Sequence, residues 1–528
     1  MKRSLTLLLA LVLLLPCVLL SCKKEPDAPL TESYLPGDFF AAVKENFESK
    51  NGDFSALRDS EAPYAVRDVY GFGAGTLRYL HIPVLRTGKA DEEGNLTLTV
   101  YLVSNSYDGL KTGLIDTKKI KVNAAEYGLE PSAKNVYKYI KVDVSSYEIT
   151  LTEDQTLAFF AEGDTLYPAY LTENASKKTD ATFDLYKKDF PRATGYFGKV
   201  GSDLLCSQGS LLFNVEFDMT DERRAAAEQK AAEEQAFAEV IEALKAKYAG
   251  KTYSVIGDSI STFEGVNNNT DYNTTIGNNN VYYNDRDNGT ATRNHIFADY
   301  TDTYWGRFTK ELGMELCVNN AWSGAYTYET SDTRYALNMF PRSSQLHRDN
   351  GTPADRSDDT NPDVIFVFMG TNDMLHTKGA TCDADLYRDL TKMNADRSAV
   401  TAAWFEKVAA FADAQPSIEP NVAYTTFESA YALSLREMQR CYPDAEIVCL
   451  LLPQCNHSSS TFELVTRYNV LITAIAEHFG ATVVKIGDAL PVKQCHAYGA
   501  DSTTVHPNVA GHELMFREIA RTMYEKNK

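Results

Sequence analysis

Four short segments carry residue types that together could run acyl transfer. The first is Gly257-Asp258-Ser259-Ile260-Ser261, which directly follows the apolar run Tyr253–Ile256. A serine at the carboxyl end of a strand, in a tight turn supplied by Gly257, can present its hydroxyl to solvent. Its own backbone N–H can then face a developing oxyanion. A Gly-Asp-Ser turn alone is a weak motif. The second segment, Asn319-Asn320-Ala321-Trp322-Ser323-Gly324, follows the next apolar run, and Gly324 can bring a bare N–H close to a substrate oxygen. The third, Gly370-Thr371-Asn372-Asp373, offers the Asn372 amide as another donor. The fourth, Val505-His506-Pro507-Asn508, precedes the last helical period. A serine hydroxyl is a poor nucleophile near neutral pH and needs an adjacent base, and histidine titrates in the right range. Acyl transfer also needs donors where the tetrahedral oxyanion forms, each worth about 3 kcal/mol of barrier.

Positioning these residues falls to strands that alternate with helices from about residue 251 onward. Short apolar runs occur at Tyr253–Ile256, Glu315–Val318, Val364–Met369, Glu446–Leu452 and Thr482–Ile486. Helical periods occur at Thr303–Leu312, Phe427–Cys441, Phe462–Phe479 and Val509–Tyr524. Continuous apolar strands separated by crossover helices predict a parallel sheet covered on both faces. Ligands bind such sheets beyond the carboxyl ends of the strands, where all four segments should fall.

In that order, the four segments resemble the four marker blocks of the SGNH (GDSL-type) hydrolase family, over residues 251 to 526. Any block alone is common; four in sequence make a specific signal. The resemblance implies an α/β fold, a flavodoxin-like three-layer α/β/α sandwich. It also implies Ser259 as nucleophile and His506 as general base. The oxyanion hole would be the Ser259 N–H, the Gly324 N–H and the Asn372 side chain. No cofactor is implied. One block departs from the family pattern, which places an aspartate three residues before the histidine. Here that residue is Thr503, and the nearest acid upstream is Asp501. Either a local bulge lets Asp501 reach the ring, or Thr503 or a backbone carbonyl holds it, leaving a Ser–His dyad. An aspartate there orients the ring and stabilises the imidazolium without taking its proton.

Residues 34–219 read mainly as short strands, including Leu80–Arg86, Leu96–Val103, Tyr139–Val144 and Leu211–Phe217, with one helix at Phe39–Phe47. Their spacing predicts a β-sandwich-like domain. Residues 220–250 predict a connecting helix, with Thr220 as N-cap, Asp221 and Glu222 in its first turn, and Lys245 and Lys247 in its last. Only its second half carries an apolar stripe, Phe237, Val240, Ile241 and Leu244. The first half should therefore be solvated and the second half docked.

The N-terminus is expected to be removed. Met1-Lys2-Arg3 and the apolar run Leu5–Leu20 form a signal-peptide pattern over residues 1–21. Leu19-Leu20-Ser21-Cys22 resembles a bacterial lipobox, which makes Cys22 the expected lipidation site and residues 22–33 a polar tether. The implied location is the cell envelope, lipid-anchored at the outer membrane or cell surface. Of nine cysteines, Cys17 leaves with the signal and Cys22 takes the lipid; Cys206, Cys317, Cys382, Cys441, Cys449, Cys455 and Cys495 remain. They contain no CxxC pair and are odd in number, so a disulfide framework is not the organising principle. Cys317, Cys449 and Cys455 sit in or beside apolar runs and read as buried thiols. A net charge of −20 without any basic stripe excludes a nucleic-acid partner. No zinc-type spacing occurs, and the acidic stretch Asp349–Asp359 lacks the EF-hand order, so no metal is expected.

Two long polar insertions leave strand ends at the expected mouth of the site, Val266–Tyr300 and Met374–Tyr424. Long irregular loops are often binding loops. Tyr272, Tyr282, Tyr283 and Asn278 to Asn280 suit stacking and hydrogen bonding to sugars better than burial of an acyl tail. The expected function is thus an O-acyl, in particular O-acetyl, esterase acting on carbohydrate. One alternative is a lipase- or thioesterase-like acyl hydrolase, which needs an apolar trough. Another is a surface glycan-binding protein on a degenerate hydrolase domain, favoured by Thr503. Trp305 and Trp322 read as core or cleft, His376 as a loop residue, and His512 as a surface or packing histidine.

Overall fold

A computed structural model describes residues 31–35, 37–51, 54–56, 64–68, 73–104, 114–152, 155–161, 163–172, 194–199, 205–266, 281–283, 297, 299–328, 338–351, 356–376, 427–453, 461–489 and 505–528. Cys22, Tyr272, Asn278 to Asn280, Asp501 and Thr503 lie outside these residues, as do Cys382, Cys455 and Cys495.

The N-terminal part is built mostly of antiparallel strands. Gly75–Thr87 pairs with Lys134–Asp143, Asn214–Asp218 and Leu166–Thr172. Asn95–Ser104 pairs with Leu114–Asn123 and Gln155–Phe159. The two long strands are not hydrogen-bonded to each other, yet Leu80, Ile82 and Val84 share one core with Leu96, Leu98 and Val100. The strands therefore fold back over a common interior, as apolar alternation on both layers requires. The early helix spans Gly37–Glu48 and packs Phe39, Val43 and Phe47 against Leu85, Tyr139 and Leu212. The run read as one strand over Leu211–Phe217 is divided between Leu205–Leu211 and Asn214–Asp218, because Leu212 and Phe213 turn into the core between them.

Helix α1, Asp221–Tyr248, starts at Thr220, whose hydroxyl accepts the Arg223 N–H. At this end Arg223 bonds Glu32 and the Ala74 carbonyl and lies over the Phe217 ring. Every residue from Arg224 to Ala236 is exposed. Beyond it, Leu244 and Tyr248 are buried, with Phe237, Val240 and Ile241 packed against the same core. Phe237 carries Arg517 over its ring, and Arg517 forks onto Glu234.

The C-terminal part is a five-stranded parallel sheet of β1 (Thr252–Gly257), β2 (Glu315–Asn319), β3 (Val364–Phe368), β4 (Glu446–Leu450) and β5 (Thr482–Val484), in the order β2-β1-β3-β4-β5. Every residue of β3 is fully buried, as a strand covered on both faces must be. On one face α1 packs with α2 (Arg307–Leu312) and α8 (Val509–Lys526). On the other lie α3 (Met339–Ser343), α4 (Thr371–His376), α5 (Phe427–Cys441) and α6 (Thr461–His478), while α7 (Ile486–Ala489) follows β5. The result is the expected α/β/α sandwich. Helix α2 begins later than its apolar period suggested, because Tyr300–Asp302 forms a separate 3-10 turn and Gly306 sits against it. A Cβ at Gly306 would meet the Tyr300 carbonyl. Cys317 and Cys449 are buried free thiols, and Cys441 is also free.

Candidate active site

Ser259 stands just past the carboxyl end of β1, the strand between β2 and β3. Gly257 is needed here for close approach, and not for the turn conformation expected of it. A Cβ at Gly257 would lie 2.2 Å from Ser261 Oγ, and Gly257 is absent from the positions with positive φ. Its carbonyl accepts the Trp322 N–H at 3.1 Å, which ties the loop after β2 to the end of β1. Asp258 caps the short turn by accepting the Ile260 N–H at 3.0 Å. Its carboxyl is fully buried beside the Thr371 hydroxyl. Burial raises its pKa, while Thr371, the Ile260 N–H, His506 and Arg342 pull it back down.

His506 arrives from the loop before α8, whose N-cap Asn508 accepts the Gly511 N–H at 3.0 Å. Its Nε2 lies 2.8 Å from Ser259 Oγ. The residues are separated by 247 positions, and the fold joins them. Tyr282 stacks flat on the imidazole, with ring centroids 3.5 Å apart.

Gly324 in the loop after β2 and Asn372 in the first turn of α4, after β3, lie on either side of the serine. Gly324 has φ +79°, a left-handed conformation that a side chain would strain. Asn372 is 8 % exposed, and its Nδ2 donates to the Ala325 carbonyl at 2.9 Å. An amide nitrogen has two hydrogens, so this bond fixes the side chain and leaves a second donor.

Asp373 ties the first turn of α4 to the loop after β2. Its two carboxyl oxygens each accept the Thr327 N–H at 3.0 Å. Burial pushes its pKa up to about 7, against the opposing pull of these hydrogen bonds. The native state therefore keeps a proton that the unfolded chain releases near pH 4. The stabilisation is complete below about pH 4 and is lost as pH rises through about 7, a span of order 4 kcal/mol. Denaturant unfolding from pH 4.5 to 8.5 should show the parent protein losing stability relative to Asp373→Asn as pH rises. Parallel curves would show that Asp373 does not titrate in this range.

One residue of this region, Arg342, did not stand out in the sequence. Arg342, 1 % exposed, donates to the Gly257 carbonyl at 3.0 Å and to the Asn320 carbonyl at 2.5 Å. It also donates to the Asn338 carbonyl at 3.1 Å, and it comes from a segment with no motif. Tyr283, expected to face sugar, is fully buried instead, because its hydroxyl is claimed by the Pro507 carbonyl at 2.7 Å. His512 is a packing histidine, fully buried, with Nε2 3.1 Å from the Tyr283 hydroxyl. Trp305 and Trp322 are core. His376 ends α4, and its side chain lies outside the described residues. Among the described residues no group of His, Cys, Asp and Glu could hold a metal ion.

A serine hydroxyl bonded to an imidazole at the carboxyl edge of a parallel sheet, flanked by backbone and amide donors, is equipped for acyl-ester hydrolysis. Residues 255–514 match the GDSL-like Lipase/Acylhydrolase family. The C-terminal half of the chain is thus a hydrolase domain of the SGNH (GDSL-type) family, an acyl-ester hydrolase. No curated protein matches the sequence. Solved structures similar to it include a GDSL-like lipase from Bacteroides ovatus, 22% identical, covering 53% of this chain and 100% of its own, with a TM-score of 0.32. An acetylxylan esterase from Geobacillus stearothermophilus is 17% identical over 52% of this chain and 95% of its own, with a TM-score of 0.27. A carbohydrate acetylesterase from Sinorhizobium meliloti is 11% identical over 52% of this chain and 98% of its own, with a TM-score of 0.31.

Proposed function

We propose that the protein is a serine esterase that removes O-acyl, chiefly O-acetyl, groups from carbohydrate, with Ser259 as nucleophile and His506 as general base. The observation that carries this reading is the 2.8 Å contact between Ser259 Oγ and His506 Nε2. In the tautomer where Nε2 accepts, Ser259 Oγ attacks the ester carbonyl carbon as its proton passes to Nε2. The Ser259 and Gly324 N–H groups and the Asn372 amide bind the oxyanion. Collapse breaks the C–O bond, and the sugar hydroxyl leaves with the proton from His506. Water, deprotonated by the same imidazole, then releases the acid and restores Ser259.

A carbohydrate substrate is supported by the Asn, Thr, Asp and Tyr content of the insertion after β1. The assignment loses Tyr283 from that support and keeps Tyr282, which lies at the pair itself. The lipobox-like segment ending at Cys22 supports an envelope anchor, leaving the enzyme to act on glycan near the membrane. The N-terminal strands would place it there or bind polymer.

The test is a panel of acetylated polysaccharides and p-nitrophenyl esters of short and long chains, given to the full-length protein. Acetate release from polysaccharide and preference for short chains are expected. Preference for long chains would make the enzyme a lipase. Glycan binding without turnover would make it a binding protein. Comparing Asp501→Ala with Thr503→Ala identifies which residue steadies His506: the one that does loses the greater share of kcat.

A further inference from the structure

One short segment reaches both members of the Ser–His pair. The Thr262 hydroxyl accepts the Tyr282 N–H at 2.8 Å and donates to the Ser259 carbonyl at 2.8 Å. The Glu264 N–H donates to the Tyr283 carbonyl at 3.2 Å. Held this way against the nucleophile turn, the two tyrosines make different contacts. Tyr282 covers the face of His506, with planes 9° from parallel. Tyr283 enters the core and bonds the carbonyl of Pro507, the residue next to His506.

The polar groups behind Tyr283 permit one arrangement of hydrogens. The Tyr283 hydroxyl gives its only hydrogen to Pro507, so toward His512 Nε2 it must accept. His512 Nδ1 accepts the Tyr304 N–H at 3.0 Å, so the ring is the neutral tautomer with hydrogen on Nε2. Complete burial keeps the imidazole neutral by lowering its pKa. The chain Tyr304, His512, Tyr283, Pro507 is satisfied at each link, which makes a stiff backing for the loop.

We infer that Tyr282 and Tyr283 are positioning residues for His506, one setting the plane of its ring and the other the course of its loop. The inference rests on the reading of His506 as the base. A ring laid on its face restrains the imidazole from turning away from Ser259 Oγ. The same π-face favours the imidazolium formed when Nε2 takes the serine proton. Both effects act on the transition state, so they belong in kcat and not in KM.

The experiment compares full-length Tyr282→Leu, Tyr282→Phe and Tyr283→Phe with the parent on p-nitrophenyl acetate, recording kcat, KM and the unfolding midpoint. Tyr282→Leu should lower kcat about tenfold, with KM unchanged within about twofold. Tyr282→Phe keeps the ring and should keep kcat within about twofold. Tyr283→Phe should lower kcat by a similar factor, since Pro507 and His512 both lose a partner. Should that variant fail to fold, the Tyr282 pair decides alone, because that side chain is partly exposed. The inference is overturned if Tyr282→Leu turns over like the parent, or if only KM changes. It is also overturned if Tyr282→Phe falls as far as Tyr282→Leu, because the hydroxyl would then be the active part. Ser259→Ala and His506→Ala are run beside them. If either stays within tenfold of the parent, the reading of the pair fails, and the inference with it. If both abolish turnover while Tyr282→Leu does not, the positioning role alone fails.

Discussion

Ser259→Ala is expected to reduce kcat for ester hydrolysis at least ~10⁴-fold, and His506→Ala to reduce it nearly as far. Alanine at 259 removes the oxygen proposed to form the acyl-enzyme, while the proposed oxyanion donors remain. Residual turnover should therefore exceed the uncatalysed rate and still be far below the parent's. Residues that act as one unit are not additive, so the double variant should fall little further than either single one. Steady-state assays give the rates, and intact mass after brief exposure to substrate should show an acyl adduct on the parent and none on Ser259→Ala. A Ser259→Ala enzyme within tenfold of the parent would mean that another nucleophile operates.

The largest effect on stability should come from Arg342→Met. The guanidinium is buried and donates to three backbone carbonyls, of Gly257, Asn320 and Asn338. Two of these lie at the carboxyl ends of β1 and β2, where the ladder runs out. Methionine fills much of the space and supplies no donor; the Gly257 carbonyl keeps the Trp322 N–H, while those of Asn320 and Asn338 lose the guanidinium together. Each orphan costs about 1–3 kcal/mol, so a loss of about 3–5 kcal/mol is expected. Arg342→Lys should recover little, because a point-like ammonium cannot span the carbonyls that the planar fork reaches. Denaturant midpoints measure both. A loss below ~1 kcal/mol for Arg342→Met would show that water can replace the guanidinium.

Much of the hydrolase half was legible because parallel strands are apolar without interruption and their helices are amphipathic. The period over Phe427–Cys441 gave that helix to the residue. Ser259 and His506 could be paired because each sits in a recognisable block. Arg342 could not, since a buried arginine that serves carbonyls needs no partner at fixed spacing. Tyr283 was misjudged for the same reason, whereas His512, read as a surface or packing histidine, does pack in the core. Tyr283 lies in a polar insertion that looked exposed, and its partner His512, in the first turn of α8, is 229 residues away. Gly257 was read as the source of a tight turn, but what the structure requires of it is a lack of bulk. A close contact with Ser261 is invisible until the turn is built.

The continuous helix between the two sheets has a mechanical consequence. Its solvated stretch from Arg224 to Ala236 covers about 20 Å at ~1.5 Å per residue. Arg223 seats one end, and Phe237 with Glu234 seats the other. A flexible linker would set only a distance, but a helix also carries an azimuth. Each residue inserted or deleted in it turns one half against the other by about 100°. The bearing of the β-rich half relative to the catalytic edge is thus written in the residue count of this shaft, more strongly than in its length.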